Sequence, residues 1–125
     1  MSLTNVLELP TFGDERGTLS VAERKIPFEI KRVYYIYDAK GLRGGHRHKT
    51  THQALICLNG SCEININNGK RKETILLNKP EKCLILDKEE WHTMGEFSEG
   101  SILLVLSSTP FDIEDYIDDE YPEIP

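Results

Sequence analysis

The chain has 125 residues, 38% hydrophobic and 29% charged, with a formal net charge of −6 at pH 7. That is enough for one globular domain with a real core and not for two. No apolar run reaches the length of a membrane span, and scattered bases with a pI near 5.2 exclude a nucleic-acid stripe.

Residues 1–5 lack the charged and apolar regions of a signal peptide. Three cysteines, an odd number without a CxxC spacing, fit neither a disulfide framework nor a structural zinc site. Both features set the expectation of a cytoplasmic protein with free thiols. Residues 32–37, RVYYIY, are β-branched and aromatic, as a strand is. An apolar run at 54–58 precedes Asn59-Gly60, and residues 62–67 then alternate strictly. Asn-Gly between two such runs predicts a hairpin. Asn68-Gly69 repeats the signal before a strand at 73–77, and further strands are expected at 83–86, 91–95 and 102–106. No segment carries sustained helical periodicity. Short strands with turn signals between them make the fold all-β, a small jelly-roll barrel.

Residues 1–111 are assigned to this barrel and 112–125 to an acidic C-terminal tail. The tail holds seven of the 21 acids and no Lys or Arg, which leaves 14 acids against 15 bases in the body. The body is thus about neutral, and a local basic pocket can focus an anionic small molecule. The tail is expected as a solvated extension, with Phe111, Tyr116 and Tyr121 available for docking.

The densest chemistry lies at Arg43-Gly44-Gly45-His46-Arg47-His48-Lys49. In an extended chain His46 and His48 project to one side. Two converging imidazoles suit proton transfer or metal binding, and the cations beside them suit an anionic ligand. Strand parity extends the picture. If Cys62, Ile64 and Ile66 point inward and Cys57 lies opposite Cys62, then Leu55 and Gln53 point inward and His52 outward. A buried Gln53 amide needs partners, since leaving it unpaired costs on the order of 1–3 kcal/mol. Along 32–37, Tyr35 and Tyr37 share one face and Arg32 and Tyr34 the other, and parity does not say which is inward.

His46-x-His48, Gln53 and Gly60 fall on the first-motif spacing of the cupin superfamily, with Gln in place of the usual Glu, and His92 can serve as its later histidine. Three histidines and Gln53 resemble a facial metal site. Neutral ligands would leave a metal's charge uncompensated, and Arg43, Arg47 and Lys49 add more cations, so no metal or other cofactor is expected.

A closer resemblance rests on Glu15-Arg16-Gly17, on IPFEIKRVYYIYD at 26–38, on RGGHRHK at 43–49, on LNGSCEI at 58–64 and on Trp91-His92-Thr93-Met94. Together, from about residue 5 to residue 117, these strings resemble the WxcM-like nucleotide-sugar 3,4-ketoisomerases, cupin-fold enzymes acting on dTDP-4-keto-6-deoxy-D-glucose. The resemblance implies a metal-independent isomerase, a homodimer that exchanges N-terminal strands, and a product passed to an aminotransferase for 3-amino-3,6-dideoxy sugars of surface glycans. It implies His46 and His48 as the catalytic pair, with His48 for the carbon-bound proton and His46 for the oxygens. Arg16, Arg32 and Arg43 take the family's basic positions, and Tyr35, Tyr37, Gln53 and His92 join them as substrate-binding residues. Arg16 with His92 is the pairing of galacto-forming members, which implies dTDP-3-keto-6-deoxy-D-galactose rather than its gluco epimer. Two other classes stay open: a metal-dependent cupin oxygenase and a sugar-nucleotide-binding protein without turnover.

Overall fold

Alternating and continuous apolar runs become the strands of two facing sheets. The computed structural model describes residues 5–122. In chain order the strands are β1 (Asn5–Glu8), β2 (Thr11–Asp14), β3 (Gly17–Ser20), β4 (Arg32–Tyr37), β5 (Arg43–His48), β6 (Gln53–Asn59), β7 (Cys62–Asn67), β8 (Lys72–Leu77), β9 (Lys82–Leu86), β10 (Trp91–Gly95), β11 (Ile102–Ser107) and β12 (Tyr116–Ile117). A single 3-10 turn, Ile113–Asp115, precedes β12. One antiparallel sheet runs β1-β9-β6-β11-β4, the other β12-β5-β10-β7-β8, and β2 and β3 pair only with each other. The all-β barrel expected from the sequence is what forms.

The inner faces meet in a core of Ile36, Leu55, Cys57, Leu84, Leu103 and Val105 from one sheet against Cys62, Ile64, Ile66, Leu77 and Met94 from the other. A second layer lies on the far face of the first sheet. There Ala54, Ile56, Cys83, Ile85 and Leu106 are covered by Leu9 and Ile26 from the N-terminal segment. β6 and β9 are therefore buried on both faces, which is why they read as unbroken apolar runs.

One turn expectation needs correction. Asn68-Gly69 does join a paired hairpin, β7 with β8. Asn59-Gly60 does not, because β6 pairs with β9 and β11 while β7 pairs with β8 and β10. The turn is a corner between the two sheets. Gly60 sits at φ +74°, where an added Cβ would meet Ser98 and Ser101. The face assignment holds nonetheless, since both strands turn Cys57 and Cys62 into the same interior. The Cys57 thiol donates to the Asn59 carbonyl at 3.2 Å, and all three cysteines are free.

The acidic segment is also corrected, at least as far as residue 122. It is not a solvated extension but folds back on the second sheet, with β12 pairing along β5. Beyond it, Trp91 Nε1 donates to the Asp118 carbonyl at 3.1 Å and the Tyr121 hydroxyl to the Glu89 carbonyl at 2.7 Å. The Arg47 guanidinium lies 3.9 Å over the Tyr121 ring, a cation–π contact that also draws the segment in. No helix among the described residues is long and apolar enough to cross a membrane.

Candidate active site

The double glycine before the histidines is a β-bulge. His46 pairs with His92 and Gly44 with Thr93, so Gly45 is the extra residue. Gly44 and Gly45 take φ of +86° and +84°, the left-handed region that glycine occupies without a Cβ penalty. The bulge has two consequences. It leaves His46 and His48 on the inner face, and it resets the parity of the strand so that Arg43 pairs with the inward-facing Met94.

Three imidazoles meet inside the mouth of the barrel. The ring centres of His46 and His48 are 5.0 Å apart, His46 and His92 5.1 Å, and His48 and His92 6.2 Å. The Tyr116 ring, brought in by β12, lies 4.4 Å from His46 and 4.7 Å from His48. Burial and the neighbouring His48 hold the His46 pKa below its ordinary value, with Asp118 opposing them. Burial likewise lowers that of His48, against the hydrogen bond and charge of Asp115. His92 is 1% exposed and burial pushes it down to about 3. All three shifts favour the neutral ring at pH 7.

Their tautomers follow from the partners. The His48 Nδ1 stands 3.0 Å from the Asp115 carboxylate, which only accepts, so Nδ1 carries the hydrogen. In His92, Nδ1 lies 3.1 Å from the Glu90 carbonyl and donates to it. The Nε2 atoms of both rings are then bare acceptors, buried and without a protein partner. Gln53 adds a third such acceptor: its Nε2 donates to the Tyr34 hydroxyl at 3.2 Å and to Ser107 Oγ at 3.3 Å, while its Oε1 has no partner. Glu90, whose carbonyl orients His92, is itself buried and its carboxyl is pushed up to about 7 by that burial.

Arg32 and Tyr34 take the inner face of β4. The Arg32 guanidinium lies 4.5 Å over the Tyr34 ring and 5.2 Å from that of Phe111, and Arg43 acts electrostatically on the Tyr34 phenol. Thus His46, His48 and His92 come together and Gln53 and Arg32 meet at Tyr34, while Arg43 pairs with Met94 and keeps an exposed side chain. Tyr35 and Tyr37 do not join them: they stand on the outer face of β4, 61% and 63% exposed. Arg16 does not either, being at the turn between β2 and β3 and paired with Asp14 at 2.6 Å. The sequence reading left the face of Tyr34 open, offered Tyr116 only as a docking aromatic, and missed Asp115, which lies in an acidic stretch that reads as solvated.

For a metal the donors are a poor match. Two imidazole nitrogens and an amide oxygen are neutral, with Arg32 and Arg43 nearby. Among the described residues no group of three or more His, Cys, Asp or Glu side chains has the geometry to hold an ion. What the arrangement does offer is buried proton acceptors without protein partners, with the charge of Arg32 acting on His48.

Two antiparallel sheets closing over a cluster of three histidines define a small cupin-like barrel. The chain belongs to the family described as FdtA: WxcM-like, C-terminal, whose model matches residues 2–123. It is 44% identical over 108 residues to TDP-4-oxo-6-deoxy-alpha-D-glucose-3,4-oxoisomerase of Aneurinibacillus thermoaerophilus, covering 83% of this chain and 78% of that one. Among solved structures it resembles WlaRB, a TDP-quinovose 3,4-ketoisomerase from Campylobacter jejuni, with TM-score 0.90, 43% identity and 95% of both chains covered. It equally resembles WlaRA, a TDP-fucose-3,4-ketoisomerase from the same organism, with TM-score 0.88, 41% identity, and 94% of this chain and 90% of that one covered.

Proposed function

We propose that this isomerase converts dTDP-4-keto-6-deoxy-D-glucose to dTDP-3-keto-6-deoxy-D-galactose by histidine acid–base catalysis, without a metal. The observation that carries the reading is the set of inward acceptors, His48 Nε2, His92 Nε2 and Gln53 Oε1, none with a protein partner. A substrate rich in hydroxyls satisfies them. The reaction is redox-neutral. His48 Nε2 takes the proton from carbon 3 as oxygen 4 gains one, giving an enediol. Oxygen 3 then gives up its proton and carbon 4 receives one, leaving the ketone at carbon 3. His46 serves the oxygens, and His92 lies near carbon 4 or its oxygen. Arg43 and Arg32 stabilise the developing enediolate or hold the pyrophosphate.

For the product, overall similarity does not choose. One similar structure is a TDP-fucose enzyme and the other a TDP-quinovose enzyme, which differ in configuration at carbon 4, at 41% and 43% identity. The galacto assignment rests on Arg16 with His92. We place the reaction in the cytoplasm, ahead of an aminotransferase that makes a 3-amino-3,6-dideoxy sugar for surface glycans. The test is turnover by chelator-treated protein, trapped with a 3-aminotransferase, with ring couplings read by proton NMR. Galacto couplings are expected. Gluco couplings would overturn the configuration, and activity only on adding a divalent ion would overturn the metal-free mechanism.

The reading extends to a homodimer that exchanges its N-terminal strands. Among the described residues β2 and β3 pair with no other strand, and they expose Phe12 and Leu19 at 65% and 59%. β4 is a sheet edge whose outer face exposes Val33, Tyr35 and Tyr37. A hairpin of one subunit on the β4 edge of the other would cover both surfaces and carry Arg16 towards the partner's site. Sedimentation equilibrium is expected to give twice the chain mass. A monomer at micromolar concentration would remove this part of the proposal.

A further inference from the structure

Asp115 is a buried carboxylate in the acidic C-terminal segment, and it aims at the reacting histidines. It receives four hydrogen bonds. His48 Nδ1 donates at 3.0 Å, the Thr50 amide at 2.9 Å and the Thr50 hydroxyl at 2.8 Å, and the Thr51 hydroxyl makes the fourth. Thr109 stands behind Thr51 at 2.6 Å. Backbone contacts fix it at the same time: Lys49 N donates to the Asp115 carbonyl at 2.9 Å, and Tyr116 pairs with His48. Among the described residues the one titratable side chain bonded to it is His48, an ion pair only when that ring is protonated. Burial disfavours the charge, but the bonds from Thr51, Thr50 and His48 outweigh it and keep the carboxyl at about 2.

We propose that Asp115 is a positioning residue of the site, holding His48 in the Nδ1–H tautomer so that Nε2 is the atom that takes the carbon-bound proton. The assignment deepens the ketoisomerase reading and rests on it. Two roles compete for this contact. As a mere latch, Asp115 would tie the C-terminal segment to β5, and an asparagine would serve nearly as well. As a positioning group, it must be an anion. An amide can turn its NH2 towards Nδ1 and leave Nε2 protonated, and it cannot stabilise the imidazolium formed during turnover. The groups facing His48 set the sign of the pH effect. Asp115 raises its proton affinity, while burial and Arg32 lower it. Without the carboxylate the His48 pKa falls further, so the acid limb of kcat/KM moves to lower pH.

Asp115→Asn is expected to lower kcat roughly 100-fold or more, with KM and TDP affinity held and the acid limb displaced downward. A loss of activity that merely follows a loss of thermal stability, with the acid limb in place, would assign the latch role and overturn the proposal. Unchanged kcat would do the same. A measurement on the unmodified protein stands beside the variant. In 15N-labelled protein at pH 7, the His48 ring is expected to show a protonated Nδ1 and a bare Nε2, and the Nε2–H form would overturn the assignment. Because the tautomer is read without substrate, a protein that fails to turn over would sink the ketoisomerase reading while the tautomer still decides the role of Asp115.

Discussion

His48→Asn is expected to lower kcat by roughly 10²–10⁴-fold, the range general acid–base help supplies, and to leave the fold and TDP binding in place. The asparagine amide is close in size to the imidazole and can still donate to Asp115, so the buried carboxylate keeps its partner. What disappears is Nε2, the buried acceptor without a protein partner. His46 does not replace it, because it projects from a different point on β5 and its ring stands 5.0 Å away, nearly perpendicular. A proton must be taken from one defined carbon, and a base so displaced does not reach it in a reactive geometry. Steady-state kinetics with calorimetric TDP binding makes the measurement. Full activity in the variant would remove His48 from the mechanism.

Gly44→Ala, which touches no reacting atom, is expected to damage both stability and turnover. The residue sits at φ +86°, and the new Cβ would stand 3.0 Å from the His92 carbonyl oxygen and 3.3 Å from the Thr93 Cα. Both are backbone atoms of the adjacent strand and cannot swing aside. Strain of on the order of 1–3 kcal/mol follows from the backbone angle alone. Relief comes only by moving β5 away from β10, and those two strands hold His46 against His92. A displacement of about 1 Å at a reacting centre can cost roughly 10²-fold in rate. Gly41→Ala provides the control, since Gly41 has φ +83° but nothing within 4 Å of its added Cβ. The control is expected to lose some thermal stability and keep its kcat. Equal kcat in Gly44→Ala and the unmodified protein would mean that the bulge does not set the histidine geometry.

β4 and the strands from β6 to β11 were legible because β-branched and apolar residues mark them locally, and the histidine pair because its spacing declares a shared face. Pairing was less legible. Asn59-Gly60 looked like a hairpin, yet β6 is buried on both faces and finds its neighbours far along the chain, in β9 and β11. The face of β4 was undecidable from RVYYIY, since aromatics stand on both sides, and only the structure selects Tyr34 over Tyr35 and Tyr37. Asp115 was invisible for a related reason. It meets His48 across 67 positions of sequence, in a stretch whose charge pattern speaks for solvation. The bulge at Gly44-Gly45 carried no sequence expectation, and its effect on the parity of Arg43 needs the register of β10. β1 to β3 lacked strong strand signals, and β2 and β3 expose every residue of their own chain.

Proton transfer through an enediol is the central claim, and it is most directly tested by following the chelator-treated conversion of dTDP-4-keto-6-deoxy-D-glucose in heavy water by proton NMR. The expected result is a 3-keto product, trapped as its 3-amino sugar, that carries solvent deuterium at carbon 4. A product whose carbon 4 hydrogen comes wholly from carbon 3 of the substrate would contradict an enediol reprotonated by a solvent-exchanging histidine.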